Sequence, residues 1–389
     1  MIAFTNYTTD PRVRRESESL VRRGDEVDFI CLRPRRQKKQ PRCEYLDGVR
    51  LYTLLLPRYR GSSSILYLLQ YLCFFCLAFL KVSLLHLKRN YHIVQVHTMP
   101  DFMVFTALIP KILGSKIILD VHDLMPELFC SKFGIDNTHP LIKIITWVER
   151  HSVAFAHKAL AVSKPHLDAL VKHGNPWEKF AVLLNVPDQR TFRRRQLQKS
   201  TPDNVFHLVY HGTIARRHGL DVAIRAVARL REDIPDLRFS VLGDGDDLSR
   251  ITSLTQQLGL ESRVEFSRRF VPFEELVPFI SQATMGVVPI LADAFTQYML
   301  PTKLLEYVSL GIPVIASRTM TIETYFDDTM LQFFQAGDAE DLAERILSCY
   351  RDPHRRDLYA ANADRFNRQY NWEGQRSEYY SLIDSLLRP

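Results

Sequence analysis

Cysteine is sparse in this sequence, and its spacing does not match a metal site. The 389 residues contain six cysteines, of which Cys73 and Cys76 have CxxC spacing. No second pair of Cys or His residues lies near them, whereas a structural zinc ion needs four ligands. The first residues also do not have the pattern of a secretory signal. We therefore expect reduced cysteines, with buried thiols at positions 73 and 76, and no disulfide framework.

Motifs that carry metal chemistry are also missing. The chain has neither HExxH spacing nor an Asp-x-Asp pair in a loop that fits a metal ion. Asp244, between Gly243 and Gly245, is interpreted as a turn residue. Tandem repeats with periods of 20–50 residues, which would indicate a solenoid, are not found either. We expect no bound metal and no repeat architecture.

No uncharged hydrophobic run reaches transmembrane length, although residues 65–80 come close. They carry no charge and a single strongly polar side chain, Gln70. As a helix this run would be about 24 Å long, shorter than the roughly 30 Å hydrocarbon core of a bilayer. Basic residues flank it on both sides: Arg58, Arg60, Lys81, Lys88 and Arg89. Three interpretations stay open: a buried or partner-facing helix, a membrane span, and an interfacial helix over residues 64–87 whose flanking charges meet headgroups.

An extreme charge balance is missing as well. Lys+Arg 51 against Asp+Glu 44 gives a net charge of +7, with 46% hydrophobic and 24% charged residues. This composition is typical of a folded protein and excludes a disordered chain. The densest basic stretch, residues 33–42, has six cations but no aromatic side chain on which a base could stack. We therefore expect an anionic membrane surface or a phosphate-bearing ligand as partner, and no nucleic acid.

Alternating strand and helix patterns predict an α/β protein with two domains, which also fits the length. The first half has predicted strands at 2–5, 27–31, 93–97 and 116–120, with helices at 12–23 and 101–113. The second half has predicted strands at 207–210, 237–242, 285–289 and 313–316, with a helix at 219–231. Apolar periodicity is lost over residues 186–204. We place the domains at 1–186 and 187–370, and expect a final helix, 371–389, to pack back on the first domain.

Two segments of the second domain have the residue types of a phosphate and ribose site. In residues 210–219 a glycine turn with cationic residues leads from a strand into a helix, and such a helix start binds pyrophosphate through its N–H groups. Pro301 suits the first turn of another helix. Glu306, about one turn further, can accept hydrogen bonds from two vicinal hydroxyls. The alternatives are a plain turn with solvated arginines, and a surface ion pair between Lys303 and Glu306.

These segments resemble the retaining glycosyltransferases of family 4, group 1 type. The resemblance extends over nearly the whole chain through residues 10–16, 120–127, 217–226, 243–245 and 301–316. It implies a GT-B fold, in which two Rossmann-like domains face each other across a cleft. It also implies sugar transfer from a nucleoside diphosphate sugar with retention at the anomeric carbon, and no divalent metal.

The resemblance assigns a role to individual residues of this sequence. His122 would face the transferred sugar, Glu306 would hold the ribose, and Arg217 would carry the positive charge near the diphosphate, so these three are the expected catalytic residues. The other expected donor-binding residues are Gly212, Thr213, His218, Gly243, Lys303, Leu304 and Leu305. The backbone N–H groups of Leu304 and Leu305 would contact the diphosphate. Arg12, Arg14 and Asp123 would line the acceptor side.

The sequence departs from the family pattern at three positions. Tyr298 stands eight residues before Glu306, where the family often has a second glutamate. Thr213 and His218 replace the arginine and lysine of the phosphate turn. We therefore expect Arg217, or His218, to neutralise the leaving diphosphate.

The implied product is a cell-surface polysaccharide or glycolipid, built on a lipid-linked or glycan acceptor. The donor would be a UDP- or GDP-sugar, with no other cofactor. The expected location is the cytoplasm, peripherally on the inner face of the cytoplasmic membrane. A non-catalytic partner subunit of the same fold and a nucleotide-sugar epimerase are the alternatives.

Overall fold

A computed structural model describes residues 1–33, 43–56, 59, 64–192, 205–269 and 271–388. The chain forms two compact units. The first contains Met1–Asn185 together with Glu373–Pro389, and the second contains Val186–Trp372. The C-terminal segment therefore belongs to the unit in which the chain begins.

The first unit is built on parallel strands that are buried on both faces, as their continuous apolar sequences require. The strands are β1 (Asp28–Leu32), β2 (Cys43–Leu46), β3 (Val49–Leu54), β4 (Ile93–His97), β5 (Lys116–Val121), β6 (Lys158–Ala161) and β7 (Phe180–Val182). Their order is β1-β3-β2 in one group and β4-β5-β6-β7 in the other, with β2 as the antiparallel strand among them.

The predicted strand at residues 2–5 is only a single bridging residue. Ile2 pairs with Ile30 of β1 on one side and with Val96 of β4 on the other. The chain then turns, because Asn6 accepts a hydrogen bond from the Thr8 N–H and starts a 3-10 turn. Ile2 thus joins the two strand groups of the first unit, while the loop after it approaches the carboxyl end of β4.

The helices of the first unit agree with the sequence prediction at residues 12–23, but only in part at residues 101–113. They are α1 (Pro11–Arg23), α2 (Ser64–Arg89), α3 (Leu108–Ile112), α4 (Met125–Phe133), α5 (Pro140–Phe155) and α6 (Lys164–Lys172). The prediction that Gly24 ends α1 is confirmed, with a φ of 102° at that glycine. The predicted helix at 101–113 is a 3-10 segment (Asp101–Ala107) followed by the short α3.

The helix α2 is longer than the uncharged run and is buried on one side. Phe74, Ala78 and Val82 are at most 2% exposed, and the helix packs on β3 and on the 3-10 segment before α3. Of the interpretation as a buried or partner-facing helix, burial is wrong and a partner-facing helix stays open. Many apolar side chains of α2 are exposed: Ile65, Leu66, Leu68, Leu69, Leu72, Leu77, Leu80, Leu84 and Leu87. The expectation of buried thiols at positions 73 and 76 is wrong, because Cys73 and Cys76 are exposed; none of the six cysteines is in a disulfide. By length and hydropathy alone, Ile65–Arg89 could cross a membrane.

The second unit is a single parallel sheet with helices around it. Its strands are β8 (Phe206–His211), β9 (Leu237–Leu242), β10 (Val264–Phe266), β11 (Met285–Val288), β12 (Val314–Ser317) and β13 (Gln332–Phe334), in the order β10-β9-β8-β11-β12-β13. Its helices are α7 (Leu220–Arg229), α8 (Leu248–Gln257), α9 (Phe273–Ile280), α10 (Thr302–Leu310), α11 (Met320–Tyr325), α12 (Ala339–Arg351) and α13 (Pro353–Gln369). The last helix, α14, is Trp372–Leu387.

The strand order of the second unit predicts where it binds a ligand. The order reverses between β8 and β11, so connections leave these neighbouring strands in opposite directions. Ligands of open α/β sheets bind at such a switch point, outside the carboxyl ends of the strands. The turn after β8 and the helix α10, which follows β11, lie at this position, and they contain the predicted donor-binding residues except Gly243, which follows β9.

Candidate functional site

The turns after β8 and β9 run so close together that only glycine fits between them. A Cβ on Gly243 would lie 1.9 Å from the carbonyl oxygen of Gly212, and a Cβ on Gly245 would lie 2.1 Å from that of Ile214. Gly212 itself has a φ of 106°, which other residues rarely adopt. Gly212 and Gly243 therefore shape the predicted phosphate turn through the backbone.

The start of α7 contacts the segment that follows β11. A Cβ on Gly219 would lie 1.8 Å from the Pro289 carbonyl oxygen, and the Leu291 N–H donates to the Arg217 carbonyl at 3.0 Å. The guanidinium of Arg217 lies 5.9 Å from the centre of the Phe295 ring. Arg217 is exposed, so its charge is available at the rim of the turn, where the sequence placed it.

Glu306 is held by a residue that the sequence analysis did not single out. His211, the last residue of β8, hydrogen-bonds through Nε2 to Glu306 Oε2 and through Nδ1 to the Tyr307 hydroxyl at 2.9 Å. Glu306 is buried. The alternative of a surface ion pair between Lys303 and Glu306 is wrong, because both residues are buried and the partner of Glu306 is His211.

Lys303 lies beneath the phosphate turn. Its Nζ is 3.6 Å from the centre of the Tyr210 ring, and a Cβ on Gly212 would lie 3.7 Å from it. Within the described part of the chain the buried ammonium has no hydrogen-bond partner. Burial lowers the pKa of Lys303 to about 7, against the favourable charge of Glu306 and with a smaller contribution from Arg217.

His218 does not supply the positive charge that the sequence analysis allowed for it. Its Nδ1 donates to the Thr213 carbonyl at 2.7 Å, and the same carbonyl accepts from the Tyr210 hydroxyl at 2.6 Å. Burial, with the nearby charges of Lys303 and Arg217, lowers the pKa of His218 to about 3. The side chain is therefore neutral at physiological pH, and it holds the Thr213 backbone in place.

The backbone N–H groups that the first turn of α10 leaves for a ligand belong to other residues than the sequence predicted. Pro301 caps the helix without a side-chain hydrogen bond, and the Leu304 N–H donates to the Pro301 carbonyl at 3.0 Å. Leu305 lies far enough inside the helix to bond within it. The N–H groups left for a ligand are those of Thr302 and Lys303, rather than those of Leu304 and Leu305.

In the first unit, three polar side chains meet at the carboxyl ends of β4 and β5. His97 and Asp120 are register partners on these strands. Asp120 Oδ2 lies 2.7 Å from His97 Nδ1 and 3.1 Å from His122 Nε2. Although burial opposes it, the two imidazoles hold the pKa of Asp120 well below its usual range, and Asp120 raises the pKa of His97. The carboxylate thereby orients the ring of His122.

These three groups are of the kind that bind transition metals. The His97, Asp120 and His122 ligand atoms all lie within 4.8 Å of one another. The same atoms already hydrogen-bond to each other, and they use up the shared carboxylate oxygen. The geometry is that of a hydrogen-bonded cluster with an oriented imidazole at its edge.

Arg12 is close to this cluster, whereas Arg14 is not part of it. Arg12 binds Asp10 through two nitrogens, at 3.0 and 3.1 Å, and its charge interacts with Asp123. Asp10 caps α1 and in turn interacts with the charge of His122. Arg14 forms ion pairs with Glu18 at 2.9 Å and Asp47 at 3.1 Å. The structure thus brings together His122, Arg12 and Asp123.

A second buried cluster fixes the helix that follows His122. His173, at the end of α6, bonds to Glu127 of α4 at 2.9 Å and to Glu149 of α5 at 3.0 Å. Asn175 donates to Glu149 at 2.8 Å. Burial opposes a charge on His173, but the two carboxylates outweigh it and raise the pKa of His173 to about 10. An imidazolium therefore ties three helices together directly behind the loop that carries His122.

Sequence reasoning missed His97, Asp10 and His211 as site residues. A signal was present for two of them, because His97 and His211 each end a strand whose carboxyl end borders the expected site. Asp10 gave no such signal, because its bidentate pair with Arg12 depends on the local geometry at the start of α1. Tyr298, the departure from the glutamate pattern, lies in a 3-10 turn at Thr296–Tyr298.

Family models match both units. Residues 9–185 match the model described as "Glycosyl transferase 4-like domain", and residues 205–352 match "Glycosyl transferases group 1". Together the two matches cover most of the chain, and each falls within one unit.

Two curated relatives are less than 30% identical to this chain. A putative colanic acid biosynthesis glycosyltransferase, WcaL of Escherichia coli K12, is 28% identical over 191 residues, which are 49% of this chain and 46% of WcaL. The D-inositol 3-phosphate glycosyltransferase of Thermobifida fusca is 24% identical over 387 residues, with 95% of this chain and 85% of that protein covered. The chain therefore spans about half of WcaL and most of the second relative.

The fold is shared with a solved protein that binds a nucleotide. Anabaena Alr3699/HepE, in a crystal structure with UDP and glucose, superposes with a TM-score of 0.74 at 15% identity, covering 99% of both chains. This likeness concerns the fold alone. From the two family models and this fold, the chain belongs to the group 1 glycosyltransferases of the family 4 type and has the GT-B architecture of two Rossmann-like domains.

Proposed function

We propose that this chain is a retaining glycosyltransferase that takes its sugar from a UDP-sugar, with a GDP-sugar as the alternative donor. The observation that carries the proposal is the buried His211–Glu306 pair at the switch point of the second unit. A carboxylate held there by an imidazole keeps its remaining lone pairs for hydroxyl groups such as those of ribose. The glycine turn and the free N–H groups of α10 lie beside it and suit a diphosphate.

The proposed reaction needs neither a protein nucleophile nor a metal ion. The acceptor oxygen attacks the anomeric carbon on the face from which the diphosphate departs. The bond from that carbon to the phosphate oxygen breaks, its electrons stay on the diphosphate, and a phosphate oxygen takes the acceptor proton. Backbone N–H groups and nearby cations stabilise the leaving group. In the first unit we assign His122, whose ring Asp120 orients, to the hydroxyls of the transferred sugar, and Arg12 and Asp123 to the acceptor.

We further propose a lipid-linked or glycan acceptor and a role in cell-surface polysaccharide or glycolipid synthesis. The name of the relative WcaL supports this product class. The exposed apolar side of α2 supports peripheral binding to the inner face of the cytoplasmic membrane, with the helix lying on the membrane surface. A span is disfavoured because the other side of α2 is packed against its own unit.

Donor binding and donor hydrolysis test the proposal directly. The purified chain is first screened by thermal shift with UDP and GDP, where a nucleotide at about 100 times its Kd adds about 2.7 kcal/mol to the stability. It is then incubated with UDP-glucose, UDP-N-acetylglucosamine and GDP-mannose, and the first-formed sugar is analysed by proton NMR. Slow hydrolysis of an α-linked donor to the α-anomer is the expected result.

The same experiment separates the alternatives. Nucleotide binding without hydrolysis would favour a non-catalytic subunit, which the loss of the second glutamate at Tyr298 suggests. Interconversion of the sugar without release would indicate an epimerase. The absence of binding and hydrolysis with every nucleotide and donor would overturn the proposed function.

A further inference from the structure

The phosphate turn of this chain has no buried cation of its own. Thr213 has no charge, and His218 is neutral because burial and the nearby charges of Lys303 and Arg217 lower its pKa to about 3. Arg217 is exposed at the rim of the turn. A diphosphate held by backbone N–H groups alone would bury negative charge with little compensation, so the missing cation must come from another element.

Lys303 lies where such a cation is needed. It is in the first turn of α10, a helix of nine residues, and its stem passes below the turn after β8. The ammonium is buried and, in the part of the chain that the structure describes, lacks a hydrogen-bond partner. It faces Gly212, where a Cβ would lie 3.6 Å from Lys303 Cε and 3.7 Å from Nζ.

A structural role does not account for this placement. A buried ammonium without a partner costs stability, and the contact with the Tyr210 ring returns only part of that cost. Glu306, three residues further along α10, is bonded to His211 rather than to Lys303. The unpaired donor and the free N–H groups of Thr302 and Lys303 are on the same turn of α10, so an anion could contact both.

We propose that Lys303 is the cation that binds the diphosphate of the nucleotide donor, and that it takes up a proton when the donor binds. The inference rests on the proposed function. It adds that Lys303 supplies the positive charge that Thr213 and His218 do not provide in the turn after β8. The groups that face Lys303 are the Tyr210 ring and neutral His218 from the β8 side, Arg217 at the rim, and Glu306 on its own helix.

The direction of the pH effect follows from the site without a ligand. There, burial lowers the pKa of Lys303 to about 7. A bound diphosphate raises this pKa again, so binding is coupled to proton uptake above pH 7 and to little uptake below it. The binding constant should then fall by up to tenfold per pH unit above pH 7.

Titration calorimetry with UDP on the full chain tests this. The titration is run at pH 8 in HEPES and in Tris, whose ionisation enthalpies differ, and repeated at pH 6.5. At pH 8 the terminal phosphate of UDP is fully ionised and contributes no proton. The wild type should take up close to one proton at pH 8. Lys303→Met should bind UDP at least tenfold more weakly at pH 6.5 and take up none at pH 8.

Two further variants complete the design. Lys303→Arg should bind UDP at pH 8 without proton uptake, because a guanidinium stays charged. Arg225→Met, at an exposed cation of α7, is the matched control and should behave as the wild type. At pH 6.5, where the ammonium is charged, Lys303→Met should also unfold at a higher temperature than the wild type, since it removes a buried charge without a partner in the described residues.

The outcomes distinguish this inference from the function it rests on. If the wild type binds UDP, and Lys303→Met binds it within twofold with the same proton uptake, the role of Lys303 is refuted while the proposed function stands. A larger loss in Arg217→Met than in Lys303→Met would assign the charge to Arg217 instead. If the wild type binds neither UDP nor GDP, the proposed function itself fails, and this inference fails with it.

Discussion

At the scale of single residues, burial decides which charged groups of this chain can act. Lys303 and His218 are both basic, both near the phosphate turn and both buried. His218 uses its Nδ1 proton on the Thr213 carbonyl, whereas the ammonium of Lys303 has no partner in the described residues. The two side chains therefore differ in function for a reason that residue type does not reveal.

Removal of the Glu306 carboxylate should weaken donor binding without unfolding the protein. A hydrogen bond to a charged group contributes about 1.5–3 kcal/mol, so Glu306→Ala should raise the KM for the donor about 10-fold to 100-fold. Steady-state hydrolysis of the donor over a range of concentrations measures this. Glu340→Ala, at an exposed carboxylate of α12, is the control and should leave KM unchanged. Equal rates for Glu306→Ala and the wild type at low donor would contradict the assignment.

At the scale of helices and strands, the site depends on elements that meet at their ends. His97 and Asp120 come from adjacent parallel strands, and His211 ends the strand next to the switch point. Behind His122, three helices are joined through His173 and its two glutamates. The loop with His122 thus has a strand end on one side and a fixed helix on the other.

The His173 cluster should make the stability of the first unit depend on pH. Its pKa is raised to about 10 in the folded protein, from an unfolded value near 6.5. Its contribution is therefore fully present below pH 6.5 and is lost as the pH rises to about 10. It should amount to a few kcal/mol. Thermal unfolding followed by circular dichroism at pH 6.5 and pH 9.5 should show a smaller drop for His173→Gln than for the wild type.

A matched control for this measurement is His151→Gln, at an exposed histidine of α5 that bonds to the Trp147 carbonyl. It should keep the pH dependence of the wild type. If His173→Gln and the wild type lose the same stability between the two pH values, His173 is not charged in the folded state.

At the scale of the whole molecule, the apolar surface is concentrated on the first unit. Besides α2, exposed apolar side chains occur on α3 and α5, among them Ile112, Ile144 and Trp147. All three helices contact the 3-10 segment Asp101–Ala107. Lys88 is exposed at the end of α2, whereas Arg58, Arg60 and residues 34–42 of the basic stretch lie outside the described residues. An apolar face with basic residues at its edge is suited to an anionic bilayer surface.

Polar substitutions on the exposed side of α2 should release the protein from membranes. Leu68, Leu72 and Leu80 are 52%, 44% and 58% exposed, so changing them to Ser removes surface leucines without opening the core. Binding to vesicles of phosphatidylcholine with 30 mol% phosphatidylglycerol should fall more than tenfold, measured by co-sedimentation. The control, Met320→Ser with Leu358→Ser in the second unit, should bind as the wild type does. Unchanged sedimentation of the triple variant would refute the membrane role of α2.

Most of the fold could be predicted from the sequence, because apolar periodicity and glycine or proline at element ends are local signals. The strand at 237–242 and the helix end at Gly24 are confirmed. The hairpin of β2 and β3 was missed, since β2 has only four residues and none of them is buried. The length of the strand predicted at 2–5 is wrong. Ile2 pairs with Ile30 and Val96, but the chain leaves the sheet directly after it.

The sequence by itself determined the α/β class and the family, because these are encoded in the order and spacing of residues along the chain. The donor motifs and the roles of His122 and Glu306 stay predictions. Only the tertiary structure decided that Glu306 is bonded to His211, that His218 is neutral and that the Lys303 amino group is buried without a partner among the described residues. These properties depend on burial and on partners from other strands and helices, and sequence spacing contains neither.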